Sequence, residues 1–151
     1  MRRFMRLIHT GLLLAMIAPL AAPLAAETVA PEAVVQAQFD AYNAHDIDAF
    51  MATYASDAEI YEYPAKLLMN GAEQIADFYA SKRFNDPRLH GTIAKRIVMG
   101  EVVIDHEQIV LTHPEGPGRL EAVAIYEVRA GKIQKVTLIR GRKSLDAPAQ
   151  N

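Results

Sequence analysis

The chain has 151 residues, 16 Lys and Arg against 18 Asp and Glu, no cysteine and no tryptophan, and 51% of it is apolar. That length and mixture fit a single globular domain. A net charge of −2 with both signs interspersed excludes a basic nucleic-acid arm and an acidic tail, and the lack of cysteine excludes disulfides, a thiol nucleophile and a thiolate metal site.

Residues 1–26 read as a secretory signal peptide. Arg2, Arg3 and Arg6 precede the apolar run Leu7–Ala18, and Pro19, Pro23 and the small residues Ala21, Ala22, Ala25 and Ala26 follow it. The arginines hold the cytoplasmic side while the apolar run enters the translocon. The competing reading is an uncleaved anchor, against which stand His9, Thr10, Gly11 and the two prolines. Cleavage after Ala26 removes three arginines and no acid, so the net charge becomes −5. Nucleic acid is then a still poorer partner. The expected location is periplasmic or secreted, with no stable membrane association after cleavage.

Residues 27–143 read as one domain and 144–151 as a flexible tail. Pro31 and Glu32 suit a helix start, and Val35, Gln38, Phe39 and Tyr42 fall on one face of that helix. Asp46 is placed to cap a second helix whose stripe is Ile47, Phe50, Met51 and Tyr54. Ala58–Tyr63 alternates as a strand, stopped by Pro64. Asn70 with Glu73 resembles a capping box, and Ile75, Phe78 and Tyr79 give a third helix its stripe. After Asn85-Asp86-Pro87 the period becomes two. Gly91–Met99, Glu101–Thr112, Arg119–Arg129 and Lys132–Arg140 read as four strands, separated by Gly100, by His113–Gly118 and by Ala130-Gly131. Helices followed by strands predict an α+β domain, helices on one face of a curved sheet.

Several runs carry a family resemblance: Val34-Val-Gln, Ala41-Tyr-Asn-Ala-His-Asp46, Asp48 through Pro64, Asn70 through Tyr79, Val103 through Glu107, Glu121 through Val128, and Gly131-Lys-Ile133. Together they resemble the nuclear transport factor 2-like superfamily, its SnoaL-like and ketosteroid isomerase-like branches, over about residues 32–142. The resemblance implies a cone: three N-terminal helices on a strongly curved, mostly antiparallel sheet (a cystatin-like roll) around an apolar pocket. This fold hosts unrelated activities, so function rests on which polar side chains face inward.

Two residues are singled out for catalysis. Glu62 alternates with Ile60, and by the resemblance it takes the position of the carboxylate base of ketosteroid isomerases. A carboxylate in an apolar pocket has a raised pKa suited to a general base. His106 alternates with Ile104, Gln108 and Val110, a face directed inward by the family pattern, which leaves Asp105 and Glu107 outside. The bland alternatives are an exposed or ion-paired Glu62 and a core histidine with one partner. Gln38, Tyr42, Ile60, Gln108, Val123 and Arg140 are expected to bind ligand, Arg140 at the mouth. Tyr54, Tyr79 and Tyr126 read as core or pocket wall, and Glu121 is a second carboxylate of interest. No metal ligation and no cofactor are expected.

The sequence departs from the isomerase pattern at the oxyanion hole, where that family pairs a tyrosine with a protonated aspartate. Gln38 stands at the tyrosine position and Val123 or Ala124 at the aspartate position. Losing such donors costs on the order of 100- to 1000-fold each, so steroid isomerisation itself is disfavoured. Three functions remain: cofactor-free acid–base chemistry of isomerase, dehydratase or cyclase type on a small apolar carbonyl compound; non-catalytic binding of a small apolar ligand; and pairing through the outer sheet face. For the last, a homodimer is expected, with Tyr61, Tyr63, Val103 and Ile109 on that face.

Overall fold

The structure, a computed structural model, describes residues 29–147. The expected leader, residues 1–26, lies outside the described residues. Helix α1 (Pro31–Ala44) starts at the proline, with Glu32 in its first turn, and buries Val34, Val35, Gln38, Phe39 and Ala41. It ends where His45 turns left-handed at φ 56°. Asp46 caps α2 (Ile47–Met51), accepting from the Ala49 N–H at 3.0 Å.

Here the structure departs from the expected second helix. The Thr53 hydroxyl donates to the Phe50 carbonyl at 2.7 Å, closing the turn, and Tyr54 begins strand β1 (Tyr54–Glu62). The helical spacing that linked Phe50 to Tyr54 is still satisfied in space, the ring centroids lying 5.1 Å apart. Strand β2 (Lys66–Asn70) was not anticipated; its apolar run Leu67–Met69 is too short to have a readable period. Helix α3 (Ala72–Lys82) opens from Gly71 at φ 86° with no side-chain cap. The Asn70–Glu73 box is not made; instead Gln74 Oε1 accepts from the Asn70 N–H at 3.0 Å.

Four long strands follow: β3 (His90–Met99), β4 (Val102–His113), β5 (Gly116–Arg129) and β6 (Lys132–Leu145). The expected loop His113–Gly118 is a hairpin turn over Pro114-Glu115, with His113 opposite Gly116. Residues 144–146, expected as tail, are held: Leu145 pairs with Gly118, and the Asp146 N–H donates to the Pro117 carbonyl at 2.9 Å. A Cβ at Gly118 would meet the Ser144 carbonyl oxygen at 2.2 Å, so only glycine permits that approach.

The strands form one sheet in the order β2-β1-β6-β5-β4-β3, parallel between β1 and β6 and antiparallel elsewhere. This is α+β architecture, three helices packed on a six-stranded mixed sheet. The core joins Val35, Phe50, Ile60, Ile75, Val103 and Ile133, all fully buried. At the far edge α1 is clasped to β3: Asn43 donates to the Gly91 carbonyl at 3.2 Å and accepts its N–H at 2.7 Å. Phe39 fills the space where a Gly91 side chain would stand. The sheet thus bends around the helices, leaving a cavity open between them.

Candidate functional site

Strand phase decides which polar groups enter the cavity. On β4 the buried residues are Val103, Asp105, Glu107 and Leu111, so this set faces the helices. Ladder pairing extends it: Glu107 lies opposite Ala122, which lies opposite Arg140. The alternating set, Ile104, His106, Gln108 and Val110, therefore faces the convex side.

The cavity measures about 720 Å³ out to its open mouth, but a water-sized sphere can be centred in only about 70 Å³ of it. It is narrow and admits a slim molecule. Gln38, Phe39 and Tyr42 of α1, Tyr79 and Arg83 at the end of α3, and residues of β1, β4, β5 and β6 line it. Helices and sheet meet there because Tyr42, Phe50, Tyr79 and Phe84 form an aromatic cluster, with Phe50 and Tyr79 centroids 4.5 Å apart.

Glu107 is the one carboxylate in that lining. It is 6% exposed and accepts a hydrogen bond from the Tyr126 hydroxyl at 3.1 Å. Burial pushes its carboxyl up to about 7; the Asp105 charge adds to the rise, while Tyr126 and Arg96 oppose it. Asp105, fully buried one step along, is held by Arg96 through two bonds of 2.7 Å, and Arg96 also donates to Gln36 of α1 at 2.8 Å. Around Glu107 stand Tyr42, Tyr54 and Tyr79. Burial raises all three hydroxyls, Tyr79 to about 12, so they remain neutral donors. Tyr54 accepts from the Gln38 amide at 3.2 Å, and Tyr42 and Tyr79 have no side-chain hydrogen bond to protein among the described residues.

The residues expected from sequence separate into two groups. Gln38, Tyr42 and Arg140 line the cavity. Glu62 lies on the inner face level with Leu138, at the rim, where its Oε1 is 3.0 Å from Arg140 Nε. Ile60 is fully buried in the core and does not line the cavity, so its expected ligand contact is corrected.

His106 is the central correction. It projects from the convex face, 40% exposed, with Nε2 2.8 Å from Glu121 Oε1, and shares no surface with Glu62. Gln108 and Val123 go with it: Gln108 lies opposite Glu121 and Val123 opposite His106. Val103 and Ile109, expected outside, are buried in the core and line the cavity respectively. The inversion has a physical cause. Each face of β4 mixes three polar with three apolar residues, so the alternation leaves the phase open and the family pattern places the carboxylates outside. Arg96 and Tyr126, distant in sequence, neutralise and hydrogen-bond them inside.

An α+β cone with one open, tyrosine-lined cavity defines a class of small-pocket proteins, and sequence comparison gives the family. The SnoaL-like domain model matches residues 35–136, so the chain belongs to that family. No curated protein matches the sequence. Among solved structures the chain is similar to an uncharacterised cystatin-fold protein from Novosphingobium aromaticivorans, at 23% identity and TM-score 0.68 over 74% of this chain and 99% of that one. It is similar to a delta 5-3-ketosteroid isomerase from Mycobacterium sp., at 20% identity and TM-score 0.64, covering 73% and 92%. A third is an LEH-like epoxide hydrolase from Mycobacterium tuberculosis, at 16% identity and TM-score 0.63, covering 74% and 82%. At these identities the likeness is one of fold.

Proposed function

We propose that the cone performs cofactor-free acid–base chemistry, of isomerase, dehydratase or cyclase type, on a small and mostly apolar carbonyl compound. The observation that carries this reading is Glu107: a carboxylate buried in an apolar cleft, titrating at about 7 and facing tyrosine hydroxyls. A base is most effective when its pKa lies near the working pH. Neutral Tyr42 and Tyr79 can donate to a carbonyl oxygen as charge develops on it, a role the isomerase resemblance assigns to positions that here hold Gln38 and Val123 or Ala124. Glu62, with Arg140, then closes the rim instead of serving as base. That an isomerase and an epoxide hydrolase share the fold supports a reactive pocket.

The test is turnover of a substrate found by screening carbonyl compounds. Glu107→Gln is expected to lose at least about 100-fold in kcat, the typical contribution of a general base. The native rate is expected to rise with pH through about 7, where Glu107 gives up its proton. Undiminished turnover in Glu107→Gln would sink the assignment. The alternative, a non-catalytic binding module, is favoured by one observation: Ala122 and Ala124, the inward residues of β5 nearest the expected aspartate, carry no donor. It predicts retention of a ligand without chemical conversion.

Two further readings belong here. Residues 1–26 export the chain to the periplasm or medium, and N-terminal sequencing of the exported protein is expected to begin at Glu27. Two copies pair through the convex face as a homodimer, a reading supported by the exposed Leu67 and Ile97 on that face.

A further inference from the structure

Two arginines, Arg83 and Arg140, line the cavity beside a single carboxylate, Glu107. Arg83 follows the last turn of α3, its guanidinium 5.3 Å over the Phe78 ring, and no ion pair engages it among the described residues. Arg140 meets Glu62 through Nε at 3.0 Å, and no carboxylate other than Glu62 pairs with it among the described residues. Glu62 is itself shared with Lys66 at 3.7 Å. Arg140, Ala122 and Glu107 stand on one rung of the sheet, so the Arg140 and Glu107 backbones are two strand spacings, about 10 Å, apart. Arg83, Arg140 and Tyr79 all line this cavity.

Deeper in the cavity a second polar demand is unmet. Gln38 is 4% exposed; one end of its amide bonds the Tyr54 hydroxyl, and the other has no protein partner. An unpartnered buried polar atom costs roughly 1–3 kcal/mol, which a ligand atom placed there would recover. Between these polar ends the walls are apolar: Ile109, Leu120, Val136 and Leu138.

We infer that the cone takes a slim apolar carboxylic acid, its carboxylate on Arg83 and Arg140 and a hydroxyl at its far end donating to Gln38 Oε1. Arginine forks match a carboxylate in geometry, and positive charge between apolar walls draws anions. The small free volume suits a chain or single ring better than a bulky ring system. The inference rests on reading the cone as a ligand site, and it narrows the carbonyl compound proposed above to an anionic one.

The experiment is calorimetric titration at pH 7.5 with two matched pairs, octanoate against octanol and trans-cinnamate against cinnamyl alcohol. The acids are expected to bind at least tenfold tighter than the alcohols. Arg83→Gln with Arg140→Gln is expected to abolish that preference by weakening the acids at least tenfold and the alcohols less than threefold. Circular dichroism melts establish that the double variant folds; if it does not, Arg83→Gln alone must weaken the acids at least threefold. Equal binding of acid and alcohol, or a preference that survives the arginine changes, overturns the anion site and leaves the pocket reading standing. Failure of every probe to bind overturns both.

Discussion

Glu107 shows how a single residue can be destabilising to the fold and useful to the site. Its carboxyl titrates at about 7 in the folded chain and at 4.5 when unperturbed. Between those values the folded state holds a proton that the unfolded state has lost, so stability falls as pH rises through this window. The cost is absent below about 4.5, fully present above about 7, and on the order of 3 kcal/mol. Glu107→Gln, which keeps an acceptor for Tyr126, is therefore expected to melt several degrees above the native protein at pH 8. At pH 4.5 the two are expected to melt together. Thermal scans at both values check this, and equal melting points at pH 8 would argue that the carboxylate is solvated. The residue was visible in the sequence as half of Asp105–Glu107, but its environment was not. Tyr126, 19 positions away, and the desolvation supplied by α1 exist only once the chain has folded.

At the scale of elements, β4 carries the main lesson. Its alternation announces a strand, and the strand is there within a residue at either end. Alternation does not say which face is inner when both faces are partly apolar, and one step of phase exchanges every side chain. What sets the phase is the Arg96–Asp105 pair between β3 and β4, with Arg96 reaching Gln36 of α1. Arg96→Met removes the counter-charge and leaves Asp105 buried and alone. The expected loss is about 3–5 kcal/mol in chemical denaturation. A loss below about 1 kcal/mol would mean that Asp105 finds another partner or is neutral. Elsewhere local signals were sufficient: the proline start of α1 and the Asp46 cap act within one turn and need no tertiary partner. β2 escaped because a five-residue edge strand makes its case only by pairing with β1.

For the whole molecule the convex face is the unresolved surface. One rung of the sheet runs Leu67, Tyr61, Thr137, Ile125, Ile104, Ile97 across all six strands, and Ile97 is 50% exposed. An apolar band of this breadth facing water is a common mark of an interface. Sedimentation at micromolar concentration is expected to show a dimer, and Ile104→Lys with Ile125→Lys to give a folded monomer. A native monomer under those conditions would leave the band without the proposed partner. His106 and Glu121 sit on this same face, so their 2.8 Å contact belongs to the surface of the molecule and not to its cavity.

Sequence alone determined the α+β class, the family, the helical stripes and the strand content, because each depends on spacing along the chain. It also supplied Gln38, Tyr42 and Arg140 as cavity residues, since a helix stripe or a rim position follows from local period. Tertiary structure alone decided which carboxylate is buried, that Glu62 faces Arg140 at the rim, and that His106 looks outward. The reason is energetic: burying a charge depends on partners that arrive from other elements, and no pattern within β4 records them.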